Sequence, residues 1–311
     1  MARLVDWRVK AITQKAIGAL PASHRINYLF QRYVTRATVN TDDWFRWNLD
    51  EAERHLANWR AASRSDSPPG LAIEIGTGWF PVVPLTLALA GVGRVVTVDQ
   101  VPLLRPDNLA AAARALREFS GNGSLSQRFP ELSGERLALL DELASRDRVR
   151  PDDLEALGVE PVIGDARWME LEDGSADFVV SNNVLEHIPG PDLADVLKEM
   201  RRVCSPTAVM SHLIDLADHY STFDRSMSTR NFLRYSERRW RRWDNPIVPQ
   251  TRLQLSDYRR LIGEAGFRIV SEDLHRAEET ALEGFELAPE FRDYPREELL
   301  VERAWLVSVP E

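Results

Sequence analysis

Leu71-Ala72-Ile73-Glu74-Ile75-Gly76-Thr77-Gly78-Trp79-Phe80-Pro81 is a short apolar run broken by two glycines and closed by a proline. Leu71–Ile75 reads as a buried strand and Val82–Ala90 as the helix after it. Gly76 and Gly78 let the chain turn tightly between them and bring backbone close to a ligand that a Cβ would hold away. Strand, glycine turn and helix in that order belong to an open α/β sheet, whose ligands sit beyond the carboxyl ends of its strands.

Outward from this unit the same alternation continues. Arg94–Asp99 reads as a second strand, Val162–Ile163 as a short third and Ala176–Ser181 as a fourth. Leu193–Val203 has apolar residues at helical spacing, and Thr207–Ile214 is a fifth strand. Ser256 suits the N-cap of a helix that runs to Ala265 and ends at Gly266. Phe267–Val270 and Ala304–Val309 complete the set as antiparallel partners at a sheet edge. Ser63 to Gly70, with Pro68 and Pro69, is a linker. The division is therefore an N-terminal helical region, 1–66, and an α/β domain, 67–311. About 103–158 and 215–255 are more chain than crossovers need, so both read as helical insertions. The second leaves the carboxyl end of a strand and is placed to cover a site.

Four strand-end features carry the chemistry: Glu74 to Gly78 after strand one, Asp99 with Gln100 after strand two, Gly164-Asp165-Ala166 after strand three, and Ser181 to Ile188 after strand four. In this order they resemble the class I S-adenosylmethionine (SAM)-dependent methyltransferases, with a type 11-like core over roughly residues 70–214. The resemblance implies a Rossmann-like sheet of seven mostly parallel strands between helical layers, with SAM across its carboxyl edge. It places Gly76, Thr77 and Gly78 at the amino-acid end of SAM, with Glu74 supporting that loop or the ammonium. Asp99 falls at the ribose, Asp165 and Ala166 at the adenine and Asn182 beside the sulfonium end, with Gln100 and His187 also among the expected cofactor contacts. Where the family often carries a third glycine, this chain has Phe80. Trp79, Phe80 and Pro81 also argue against NAD, since a pyrophosphate needs small residues and backbone donors there.

The implied reaction is methyl transfer to a small-molecule acceptor, chiefly by alignment, with a base where the nucleophile must lose a proton. His212, Asp215, Asp218 and His219 are candidates, and His219 oriented by Asp215 or Asp218 is preferred. Tyr220, Arg234 and Tyr235 of the second insertion, with Trp44 and Trp47 of the N-terminal region, are the expected acceptor contacts. No compact metal-ligand motif is present, so none is assigned. The alternatives are attack at another carbon of SAM, cyclisation, and SAM binding without catalysis.

Composition sets the remaining bounds. Hydrophobic residues are 44% and charged residues 28% of 311, ordinary for a globular chain. A net charge of −9 argues against a broad nucleic-acid footprint. One cysteine, Cys204, forbids an intrachain disulfide, and no leader or spanning run is read, so the expected location is cytoplasmic. Residues 1–40 nevertheless hold seven Lys/Arg against Asp6 alone, with Trp7, Ile12 and Ile17 among them. That pattern also suits peripheral contact with an anionic membrane and a lipid-linked acceptor. Six arginines between Arg230 and Arg242 read as a solvated face.

Overall fold

The computed structural model describes residues 6–18, 42–63, 65, 67–224, 226–245 and 249–311. Seven strands form one sheet: β1 Leu71–Ile75, β2 Arg94–Asp99, β3 Val159–Ile163, β4 Ala176–Asn182, β5 Cys204–Asp215, β6 Phe267–Arg276 and β7 Val301–Pro310. Their order is β3-β2-β1-β4-β5-β7-β6. The first five are parallel to one another, and β7 runs antiparallel between β5 and β6. β1 lies at the centre, with Ala72 opposite both Val95 and Phe178. It is buried on both faces, which is why its sequence does not alternate polar with apolar.

Alternate residues of the strands feed two cores on opposite faces. Ala72, Phe178 and Val180 face one; Ile73, Ile75 and Val179 face the other. The first is covered by α1-independent elements: α2 Asp42–Ser63, α3 Val82–Leu89, α4 Pro106–Gly121 and α5 Gly134–Ala144, where α1 is Trp7–Gly18. The second is covered by α6 Gly190–Val203 and α7 Leu255–Glu264. In α2, Phe45, Leu49, Ala52, Leu56 and Trp59 are buried in the first core. That helix is therefore a layer of the α/β fold, and the Ser63–Gly70 linker is the short link from it to β1.

Several boundaries differ from the sequence reading. β3 begins at Val159, paired with Val95, and β6 continues six residues beyond Val270. Both strands have exposed or half-exposed faces that give weak apolar runs. Gln254, rather than Ser256, precedes α7, and its backbone N–H donates to the Asp257 carboxylate at 2.9 Å. Gly266 follows that helix in the left-handed region, at φ 85°, as expected. Residues 277–300, between β6 and β7, form a third excursion that the sequence reading did not separate. It builds a third apolar cluster in which Leu282, Phe291 and Leu299 meet Tyr220, Phe232, Trp240 and, from α1, Trp7 and Ala11.

This cluster changes the reading of the basic segments. Trp7 and Ile17 are buried, and only Ile12 of the three apolar residues proposed to face a membrane is exposed. Arg230 is no part of a solvated face either: it is fully buried and donates to the Leu216 carbonyl and to Gln254. No helix among the described residues is long and apolar enough to cross a membrane.

Candidate active site

At the end of β1, the Gly76 N–H donates to the Val98 carbonyl at 2.8 Å. Its φ is 81°, and the Val184 side chain occupies the space a Cβ would need, so only glycine fits. Gly78, at φ 68°, is the opposite case: nothing lies within 4 Å of its would-be Cβ. Its N–H donates to Asp99 Oδ2 at 3.1 Å, while Asp99 Oδ1 accepts from the Val101 N–H at 3.2 Å. One carboxylate thus ties the glycine loop to the end of β2, and a carboxylate oxygen accepts more than one hydrogen bond. Beneath the loop Glu74 is buried, and its Oε2 has no partner. Burial, aided by Asp99, pushes its pKa up to about 8.

The aromatic departure at Phe80 has a structural cause. Its ring packs edge-on against Trp44 and Phe45 of α2, at 5.5 and 6.1 Å between centroids. The third glycine position therefore anchors α2. Trp44 and Trp47, expected at the acceptor, do not line the pocket described below.

At the end of β3, Asp165 is held by Arg167, whose guanidinium keeps the carboxyl below its ordinary range. Ile163 and Trp168, on either side of it in sequence, are exposed. At the end of β4, Asn182 Oδ1 accepts from His55 Nε2 of α2 at 3.0 Å. His55 Nδ1 in turn accepts from the Ser211 hydroxyl at 2.9 Å, and Asn58 donates to that same hydroxyl oxygen. Burial lowers the His55 pKa to about 3, so the ring is neutral. The chain fixes the Asn182 amide and leaves its buried Nδ2 without a partner.

These features fit SAM: an open backbone approach at Gly78, and buried unpaired groups at Glu74 and Asn182 on the same sheet edge. They fit without any phosphate subsite.

A pocket of about 270 Å³ adjoins this edge at the ends of β4 and β5. Asn183 opens it, at φ 53° the one non-glycine residue with positive φ among the described residues. Asp215 and His219 line it as expected, with Nε2 of His219 3.5 Å from Asp215 Oδ2. Burial, and then the charge of Lys10, lowers the His219 pKa to about 4, while burial raises that of Asp215. Tyr220 also lines the pocket, its hydroxyl donating to the Trp243 carbonyl at 2.8 Å.

Other expected residues lie elsewhere. Asp218 is buried in the turn, accepting from the Tyr220 N–H at 3.0 Å and from Asn231 at 3.3 Å. Its carboxylate faces groups of its own turn, and the carboxylate beside the His219 ring is that of Asp215. His212 is a core residue bonded to Ser181 at 2.8 Å. Arg234 is exposed, its guanidinium over the Tyr235 and Phe285 rings, and Tyr235 packs between Trp7 and Trp240. Neither reaches the pocket, because the apolar cluster takes their side chains.

Lys10, Glu186 and His187 also line the pocket. Glu186 stands inside the quoted strand-four motif and was passed over, whereas Lys10 gave no signal because α1 meets the pocket only in three dimensions. Burial lowers the Lys10 pKa to about 7, and its ammonium lies over the Phe223 ring.

Residues 120–211 match the family described as methyltransferase domain. No curated protein matches the chain in sequence. Among solved structures, a Pyrococcus horikoshii protein is 16% identical, with 92% of this chain and 99% of that one covered at a TM-score of 0.49. A SAM-dependent methyltransferase from Methanosarcina mazei is 14% identical, covering 79% and 94% at 0.43. One from Mesorhizobium loti is 12% identical, covering 87% and 98%, also at 0.43. At these scores nothing about acceptor or activity passes from them to this chain. The family match over residues 120–211, together with the strand order and the glycine loop bonded to Asp99 at adjoining strand ends, supports a core of the class I SAM-dependent methyltransferase type with SAM as its cofactor.

Proposed function

We propose that the chain moves the methyl group of SAM to a small-molecule acceptor seated in the pocket at the ends of β4 and β5. The observation that carries this reading is adjacency: Asn182 belongs to the cofactor edge, and Asn183, the next residue, opens the pocket. Bound SAM supplies an activated methyl on a sulfonium. The chain supplies alignment and exclusion of water, which is the leading contribution to such a displacement.

Gly76 to Gly78, Glu74 and Asp99 hold the cofactor, and the His55 chain sets the amide of Asn182 beside it. The Asp215–His219 pair takes the acceptor's proton. His219 is neutral at pH 7, so it is ready to accept, and Asp215 steadies the imidazolium that forms. Asp165 and Ala166 are placed at the adenine, with Gln100 at the ribose, and Tyr220 on the acceptor side.

The test uses methyl-labelled SAM with fractionated small-molecule extracts. Label should appear in one acceptor with an equal amount of S-adenosylhomocysteine. His219→Ala should lower turnover by about 10²–10⁴ and leave SAM affinity unchanged. SAM consumption without S-adenosylhomocysteine, or tighter binding of NAD than of SAM in calorimetry, would overturn the reading.

A further inference from the structure

Glu186 and His187 sit in the short turn after β4, and His219 in the turn after β5. One potential ligand atom from each lies within 4.8 Å of the others. An ion with bonds of about 2.0–2.2 Å holds its ligand atoms roughly 3–4 Å apart. Small side-chain rotations therefore close the set around one ion.

The hydrogen bonding at each residue favours such an occupant. Glu186 is 1% exposed, and neither carboxylate oxygen accepts a well-formed hydrogen bond. The N–H groups of Glu186 itself and of Asp215 lie near it without good alignment. A buried carboxyl left in this state is costly, and something outside the chain ordinarily completes it. His187 Nδ1–H donates to the Pro249 carbonyl at 2.7 Å, which leaves the Nε2 lone pair for a ligand. Metal-bound histidines are held by a second-shell carbonyl in this way. His219 Nε2 is likewise buried without a hydrogen-bond partner.

The charges around the cluster agree. Asp215 adds a second carboxylate 3.5 Å from His219, and Lys10 is the cation facing it from α1. Its ammonium is turned to the Phe223 ring. Two imidazoles and a carboxylate suit zinc, manganese or iron better than calcium or magnesium.

We infer that Glu186, His187 and His219 bind one divalent transition-metal cation at the floor of the acceptor pocket. Its open positions face the pocket, where a hydroxyl or carboxylate oxygen of the acceptor can coordinate and a hydroxyl can be acidified. With the ion in place His219 is a ligand, and the acceptor's proton falls to Asp215. This catalytic extension rests on the proposed methyl transfer; the binding site does not.

The full chain, stripped with a chelator and dialysed, is titrated with Zn²⁺ and Mn²⁺ by calorimetry and with Co²⁺ by visible absorption. One equivalent should bind. Glu186→Gln and His219→Ala should each weaken binding by about tenfold or more. Unchanged circular dichroism and unchanged SAM binding in the isosteric Glu186→Gln variant separate loss of a ligand from loss of the fold. Absence of saturable binding for all three metals, or wild-type affinity in both variants, overturns the site. Stoichiometric binding with methyl transfer indifferent to chelation overturns the catalytic extension alone, and a failure of methyl transfer leaves the titration valid.

Discussion

Glu74 is buried beneath a loop that brings its one charged neighbour, Asp99, close to it. Its folded pKa, about 8, is above the unfolded value of 4.5, so the folded chain keeps a proton that the unfolded chain releases. The stability this carboxyl contributes is complete below pH 4.5 and is lost as pH rises through 8. Glu74→Gln cannot ionise. Between pH 5 and 8.5, without SAM, the wild type should lose on the order of 3–5 kcal/mol relative to that variant. Urea unfolding at the two pH values checks it, and a constant difference between the proteins would show that Glu74 is not held protonated. At this scale the glycine turn and its tie to the end of β2 were legible because their residues follow strands directly: Glu74, Gly76, Gly78 and Asp99 lie within 26 positions of one another. His55 was not legible. Its partners Asn182 and Ser211 are 127 and 156 residues away, and no local pattern marks a helix residue that bonds to two strands.

Among the elements, α1 departs furthest from its sequence reading. Trp7, Ala11 and Gln14 fall on one helical face and are buried, with Lys10 beside them at the pocket. Trp7 packs on Tyr220 and Trp243 at 5.4 and 5.3 Å between centroids. Its mean hydropathy gave no hint of this, since the face is narrow and flanked by arginine and lysine. Trp7→Ala should remove about 3–5 kcal/mol of docking. The acceptor Michaelis constant should rise by about tenfold, with SAM affinity intact because the proposed cofactor contacts are at the ends of β1 to β4. Steady-state kinetics and calorimetry check the two halves, and equal effects on both ligands would place α1 at the cofactor instead. The strands tell a complementary story. β1 and β2 keep the bounds read from the sequence and β4 differs by one residue, whereas β3, β5, β6 and β7, exposed or half-exposed on part of their length, were read short.

For the molecule as a whole, the two main cores share the sheet, and the third cluster stands beyond its edge on the excursions at 216–245 and 277–300. Segments that share few contacts with the main core open at lower free energy than the core itself. Native-state hydrogen exchange should therefore show the amides of Tyr220 to Trp240 and of Leu282 to Leu299 opening below the global unfolding free energy. Amides of β1 and β4 should exchange only on global unfolding. A single opening energy for both sets would make the cap part of the core. Seven strands were foreseen from the sequence; the extent of this cap was not, since its stabilising contacts join α1 to residues more than 200 positions later.

The position of β7 between β5 and β6 has a consequence for the chain as it is made. Synthesis runs from the N-terminus at about 5–20 residues per second. Trp7 therefore leaves the ribosome roughly 10–40 s before Tyr220 exists to receive it. β6 in turn finds no neighbour in the sheet until β7 emerges and slots in beside β5. The nascent polypeptide thus carries an unclaimed aromatic helix and an open strand edge until β7 has been made. Interrupted translation products should be clients of chaperones that recognise exposed apolar segments, however stable the finished protein is.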